Sequence, residues 1–549
     1  MALYQRVNPL MEPESVIRGF NNSINNNARI EMLKISFFIY TFYAYGLIFN
    51  HKYVIIYSGE GGKFCMKKII GNIEPNNVFG YFEDICNIPH VSYHTEKIQA
   101  YIEAFAIERG LDYHKDNYGN IVVFKEASEG YEEHEPVIIQ GHTDMVGASR
   151  EGYEHDFYED PLILDEKAVE EGYIKAVETT LGADDGIAVA YALAILSDDS
   201  LKHPRLEVVF TADEEVGMLG ATEFDFSLLK GKTILNLDSE EEGVFLTGCA
   251  GGMRCDISIP LDKDVRRGKL ITLSIRGLTG GHSGDKIGTG RPSANILMGR
   301  LLDGLRKEID YSIMSITGGV VDNAISTGCE AEIVCDSEIC IVDNYAKYFE
   351  NTLKQEYFGI DDNISVFVGL KQNGSYEVAD KQGTDKVVSV LRAMPQGVIM
   401  RSAESADMVD TSLNLGILRV DNSMIKMGYS LRSSFESAKR DLAERISTIA
   451  ESYGGSVEIS GEYPAWTYNP ESKIRDVVRS VYMEQTGREP VFRTIHAGLE
   501  CGLFYQNIEG ADIISFGPDI YDIHTFDERL NIDSAKRVYE LTVRILEKM

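Results

Sequence analysis

No Cys-x-x-Cys pair occurs in this sequence, although eight cysteines are scattered along it, at Cys65, Cys86, Cys249, Cys255, Cys329, Cys335, Cys340 and Cys501. That usage excludes a disulfide scaffold, argues against a thiolate zinc site and fits reduced thiols in a cytoplasm. Positive charge is also scarce. Lys and Arg number 53 against 86 Asp and Glu, for a formal charge of −33. Such a surface repels phosphate backbones, which disfavours nucleic acid as a partner, and it favours holding divalent cations. A membrane-length apolar run is missing as well. The stretch from Ile35 to Phe49 is about 15 residues, short of the ~20 that a spanning helix needs.

That stretch lies too deep for an ordinary signal peptide, and no small-residue cleavage site follows it. A tilted membrane anchor over residues 34–57 is the alternative reading; a membrane partner is not expected. The preferred reading starts from Glu60-Gly61-Gly62-Lys63, which permits the codons GAA-GGA-GGA-AAA and so an AGGAGG ribosome-binding element shortly before Met66. Residues 1–65 are then expected to be upstream sequence read in frame, with the natural start at Met66.

What is present is the composition of a folded protein, with 44% apolar and 25% charged residues. A length of 549 residues suggests about two to four domains. Short β-rich runs at 136–146, 205–210, 232–237 and 511–516 each end in polar residues, and an Ala-rich stretch at 187–196 is expected to be a helix capped by Asp184 or Asp185. Strands alternating with helices indicate an α/β domain with a mostly parallel sheet, whose ligands gather at the carboxyl ends of the strands. From about 253 to 460 the apolar pattern alternates by twos instead, as in 269–275, 331–334 and 425–431, with a helical stretch at 294–305. This predicts an inserted α+β domain over 253–462, splitting the first domain into 66–252 and 463–549, with Tyr463-Pro464-Ala465-Trp466 near the return point. Residues 533–548 close the chain as an amphipathic helix.

The strand ends carry His142 and Asp144, Asp184, Glu214 and Glu215, Asp238, and His524. A lone histidine or an adjacent acid pair means little. Five strand or loop ends converging on one sheet edge mean more, because that much buried negative charge is prohibitive unless cations neutralise it. Imidazole and carboxylate without thiolate suit zinc, manganese or cobalt. Five ligands are too many for one catalytic ion with an open position and fit two ions sharing a bridge.

The motifs HTDMV at 142–146, TTLGADDG at 179–186, TADEEVGMLGA at 211–221, LNLDSEEEG at 235–243, GCAGG at 248–252, GGHSG at 280–284, HAGLECGLF at 496–504 and GPDIYDIHTFDE at 517–528 resemble the co-catalytic two-zinc metallopeptidases. Together they resemble the aminoacyl-histidine dipeptidase branch, which includes carnosine-splitting and cytosolic non-specific dipeptidases. The resemblance covers nearly everything after Met66 and implies a metal-dependent dipeptidase, with N-acyl amino acid deacylase or carboxypeptidase as the alternative. It implies that His142 and Asp238 bind one ion, Glu215 and His524 the other, and Asp184 bridges them. Asp144 would bond the second nitrogen of His142, and Glu214 would be the general base. A water bridging two divalent ions is acidified toward neutrality, and a neighbouring carboxylate can take its proton and pass it to the leaving amine.

By the same resemblance His282 of GGHSG stabilises the oxyanion, often from the partner subunit of a homodimer formed through the inserted lid domain. A turn histidine is the alternative. Arg432 of GYSLRSS would bind the substrate carboxylate, as guanidinium does bidentately, unless it is a strand-surface salt-bridge partner. Asn323 of GGVVDNAIS and His496 would line the same pocket. Asp185 is expected to be a helix cap outside the metal site, and Cys249 and Cys501 to be packing. The loop of His524 departs from its relatives: Thr525-Phe526 stands where Ser-Pro is usual, and Phe526 could alter the pocket rim.

Overall fold

Val137–His142, Leu206–Thr211 and Val244–Cys249 are buried at every position, as strands covered on both faces must be. The computed structural model describes residues 68–402 and 408–549. The apolar run at 35–49 and the expected start at Met66 lie outside the described residues. Among the described residues eight strands form the first sheet, in the order Asp112–Lys115, Ile121–Lys125, Leu206–Thr211, Val137–His142, Thr233–Asn236, Asp512–Ser515, Val244–Cys249 and Val491–Ile495. The pairings from Leu206–Thr211 through Val137–His142 and Thr233–Asn236 to Asp512–Ser515 are parallel.

Successive side chains on these strands enter opposite layers. Val137, Ile139, Val208, Phe210 and Leu235 join one apolar cluster, whereas Ile138, Val209 and Ile234 join another. Over the first layer lie the helices Asn76–Cys86, Ala183–Ser197, Lys473–Thr486 and Ile532–Lys548. Trp466, Phe504 and the 224–229 segment cover the second. Each large apolar side chain fully buried there contributes about 1.5–3 kcal/mol relative to exposure. The expected cap of Ala183–Ser197 is corrected. Gly182 occupies the N-cap in a left-handed conformation, and Asp184 and Asp185 have non-helical dihedrals at the kinked start, across a cis peptide. Their carboxylates are turned away from the helix, toward histidines.

The second sheet is antiparallel throughout. Among the described residues it has nine strands between Gly251 and Tyr463. Its helices Ala294–Leu305, Ile339–Glu356, Lys381–Ala393 and Glu436–Ser452 share one apolar cluster with the inward-facing residues of the strands. With one face against helices, alternation by twos is the natural pattern.

The chain passes between the sheets twice, side by side. Val244–Cys249 continues almost directly into Gly251–Pro260, and the returning Trp466 exchanges both main-chain hydrogen bonds with Cys249, at 2.9 and 3.1 Å. Glycine is required at this crossing. A Cβ on Gly251 would lie 2.6 Å from the nitrogen of Ala465, and one on Gly252 would lie 2.3 Å from the ring of Tyr463. GCAGG is thus the sequence of two strands passing at contact.

Candidate metal centre

His142 ends its strand with the imidazole buried. Its Nε2 lies 3.0 Å from Oδ1 of Asp184 and 3.7 Å from Oδ1 of Asp238. The other oxygen of Asp184 faces Nε2 of His524 at 3.1 Å, and that nitrogen is 2.8 Å from Glu215. Two histidine–carboxylate pairs therefore share one aspartate. The structure brings together all five residues expected to hold metal, each delivered by a different strand end or loop. Ligand atoms of His142, Asp184 and Glu215 fall within 4.8 Å of one another, as do those of His142, Asp185 and Asp238.

The electrostatics are those of several acids crowded together in a buried place. Burial and neighbouring acids push Asp238 and Glu214 well above the usual carboxylate range. Burial opposes charge on His142, yet its hydrogen bonds to Asp144 and Asp184 with the charge of Asp238 outweigh it and raise the imidazole well above its ordinary value. Hydrogen bonds to Asp184 and Glu215 raise His524 to about 11. Two imidazoles and three carboxylates, buried and mutually repelling, suit two divalent ions of the zinc, manganese or cobalt type.

Asp144 approaches Nδ1 of His142 with two oxygens. The nearer partner of His142 Nδ1 is the main-chain carbonyl of Asp144 at 2.9 Å, with the carboxylate at 3.5 Å. That carboxylate is engaged elsewhere. It accepts the N–H of Glu214 at 2.9 Å and of Glu215 at 3.3 Å, together with Ser92 Oγ at 2.8 Å. Asp185 is corrected from a helix cap to a buttress, because its Oδ2 accepts the main-chain N–H of His142 at 3.1 Å.

Glu240, Glu500 and Glu528, all close to this site, went unmarked in the sequence. Glu240, two residues beyond Asp238, is pushed up to about 7 by burial and by Asp184. Glu500 of the HAGLECG motif accepts Gln140 at 2.5 Å and Thr211 at 2.6 Å beneath the His142 strand. Glu528 ends the His524 loop and accepts the N–H groups of Leu181, Gly182 and Ala183 at 3.0, 3.3 and 2.7 Å, fixing the segment that presents Asp184. The only sequence signal for the last two was their place inside longer motifs. Phe526 is covered by Arg150, whose guanidinium carbon is 4.1 Å from the ring centre, while Asp527 pairs with Lys175 at 2.7 Å. These contacts anchor the outer side of the same loop. Cys249 and Cys501 are buried free thiols, and burial raises Cys249 to about 11.

His282, Arg432 and His496 gather in a second cluster, with Asn323 at its edge. Arg432 Nη2 approaches His282 Nε2 at 3.4 Å, a long contact, and its Nη1 donates to Tyr463 Oη at 2.9 Å. Ser283, beside His282, donates its N–H to the carbonyl of Asn323 at 2.7 Å. His496 meets Ser412 at 2.7 Å, and burial followed by the charge of Arg432 holds it down at about 4. Arg432 is 8% exposed, and its Nε has no partner. Among the described residues no protein carboxylate pairs with it, which removes the strand-surface salt bridge as an explanation. A buried guanidinium without a counter-charge is costly unless an anion arrives from outside. Among the described residues no hydrogen bond or ion pair joins His282 to the five metal-site residues.

Residues 138–548 match the peptidase family M20/M25/M40. The chain is 34% identical over 483 residues to the cytosol non-specific dipeptidase of Escherichia coli K12, covering 87% of this chain and 99% of that protein. The aminoacylhistidine dipeptidase structure from Vibrio alginolyticus superimposes with a TM-score of 0.81 at 34% identity, over 88% of this chain and 98% of that one. The aminopeptidase PepT structure from Bacillus cereus, at 15% identity and a TM-score of 0.51, covers 88% of this chain and 99% of its own and shares the fold.

Proposed function

The chain belongs to peptidase family M20/M25/M40, a family of hydrolases, and from that premise we propose that it is a two-metal dipeptidase acting on unblocked L-dipeptides, Xaa-His and β-Ala-His among them. The observation that carries this is Asp184 standing between His142 and His524, one oxygen to each, with the acid Glu214 close to His142 and Asp238. In this reading His142, Asp238 and Asp184 hold one divalent ion, and Asp184, Glu215 and His524 hold the other. Zinc is favoured, and manganese and cobalt fit the same donors. When bound, such ions acidify water and polarise the scissile carbonyl.

The protein's own residues do the rest. Glu214, raised by burial, receives the proton of the attacking water at a carboxylate oxygen and delivers it to the leaving amine. Asp144 holds the main chain of Glu214 in place. Arg432 takes the substrate's free carboxylate, with Asn323 and His496 beside it. His282, kept neutral by burial and by the charge of Arg432, would donate a hydrogen bond to the oxyanion, presented across a homodimer. A cytoplasmic location agrees with the free cysteines of the described residues and with the relative named a cytosol dipeptidase. Among the described residues no helix is long and apolar enough to cross a membrane.

The test is amine release from free and N-acetylated dipeptides, including β-Ala-His, with and without chelator. Chelator-sensitive cleavage of the free dipeptides alone is expected. Cleavage of the acetylated compounds alone would move the protein to the deacylase reading.

A further inference from the structure

Tyr463 stands where the chain returns from the second sheet to the first, and both ends of it are held. Its carbonyl accepts the ammonium of Lys439 at 2.8 Å, and the same ammonium lies 3.5 Å from the carbonyl of Gly252 on the outgoing strand. Lys439 is 1% exposed and pairs with Glu436 at 2.9 Å and Glu462 at 3.5 Å. The ring lies between two glycines. A Cβ on Gly252 would fall 2.3 Å from its Cζ and Oη, and one on Gly498 would fall 2.5 Å from its Cε2. The phenol oxygen therefore has one position, and there it accepts Nη1 of Arg432.

We propose that Tyr463 is a positioning residue that fixes the guanidinium of Arg432, so that selection for a free C-terminal carboxylate is set at the crossing between the two sheets. This rests on the reading of Arg432 as the carboxylate ligand. A planar fork meets a carboxylate bidentately only in one orientation. The arginine stem, with four rotatable bonds, does not choose that orientation by itself. One neutral acceptor placed on Nη1 restricts the plane of the fork and does not consume the charge. Preorganisation of this kind acts on affinity by removing the ordering cost from the binding step. The two glycines and the buried lysine are the structural means by which the acceptor is kept still.

The experiment compares hydrolysis of a dipeptide and of its C-terminal amide by the metal-loaded full chain and by Tyr463→Phe and Arg432→Gln. Tyr463→Phe keeps the ring in its glycine slot and removes only the oxygen, and thermal unfolding checks that it remains folded. The expected result is a KM for the free dipeptide raised about tenfold in Tyr463→Phe, the scale of one lost hydrogen bond to a charged group, with kcat and the amide's KM little changed. Equal changes for acid and amide would mean a merely structural role and overturn the proposal. So would an unchanged Tyr463→Phe alongside an Arg432→Gln that loses its preference for the acid. If Arg432→Gln keeps that preference, the underlying reading of Arg432 fails instead, and the proposal with it.

Discussion

The carboxylate of Asp144 accepts the main-chain N–H of Glu214 at 2.9 Å, so the residue behind one histidine also sets the place of the neighbouring acid. Asp144→Ala is expected to release the main chain of Glu214 and Glu215 and to remove the carboxylate 3.5 Å from His142 Nδ1, while the main-chain carbonyl nearer that nitrogen remains. Outer partners of this kind are worth about 10–100-fold in metal affinity or activity. Competition with a chromophoric chelator measures the first and initial rates the second. A variant unchanged in both would remove Asp144 from the site.

Glu214 and His142 are separable. Glu214→Ala should lower kcat by about 10²–10⁴-fold, the range for a lost general base, while metal content stays near wild type. His142→Ala should lose metal as well. Metal analysis of the two purified variants decides it, and equal metal loss would count Glu214 among the ligands.

Chelation should abolish activity and also lower the thermal midpoint. Ions that bind only the folded state stabilise it by about 2.7 kcal/mol at a hundredfold excess over Kd, and here they relieve the mutual repulsion of Asp184, Glu215 and Asp238. Returning zinc, manganese or cobalt should restore both. Scanning calorimetry with and without chelator reads the effect.

Glu500 makes the metal-free protein sensitive to alkali. Burial, partly offset by the hydrogen bond from Thr211, raises its carboxyl to about 8 from an ordinary value of 4.5. Between those values the folded state holds a proton that the unfolded state has released. The group's stabilising contribution is therefore complete below about pH 4.5 and is lost as pH rises through about 8. Glu500→Gln should flatten denaturant midpoints across that window and be the more stable protein at its upper end, by an amount on the order of a few kcal/mol. Parallel pH profiles for both proteins would contradict this.

Glu528→Ala strips the acceptor from three main-chain N–H groups at once. Each buried donor left unsatisfied costs about 1–3 kcal/mol, so the thermal midpoint should fall by several degrees. Because those donors precede Asp184, metal affinity should fall with it. A Glu528→Ala protein with native stability and full metal content would show that the segment holds itself.

The convergence of His142, Asp184, Glu215, Asp238 and His524 was legible because strand ends in a parallel sheet share an edge, and because each sits in a short motif. The inserted sheet was legible for a related reason, since strands with one buried face alternate. The strand Ser365–Ala379, largely exposed along its middle, showed no such period and passed unnoticed. Glu528 was missed because its partners at 181–183 are more than three hundred residues away and IHTFDE reads locally as solvated charge. Asp185 was read as a helix cap by local rules, which its contact with the main chain of His142 overrides. Tyr463 marked a return point in the sequence, and only the packed structure reveals its contact with Arg432.

The placement of Asp512–Ser515 between Thr233–Asn236 and Val244–Cys249 has a consequence in time. During synthesis the ribosome must add roughly 290 residues after Asp238 before His524 exists, about 15–60 seconds at ordinary elongation rates. Throughout that interval the inserted domain can fold, yet the first sheet lacks an inner strand and the second half of the metal centre has no histidine. The cluster around Asp184 therefore cannot close until the loop that carries His524 has been made.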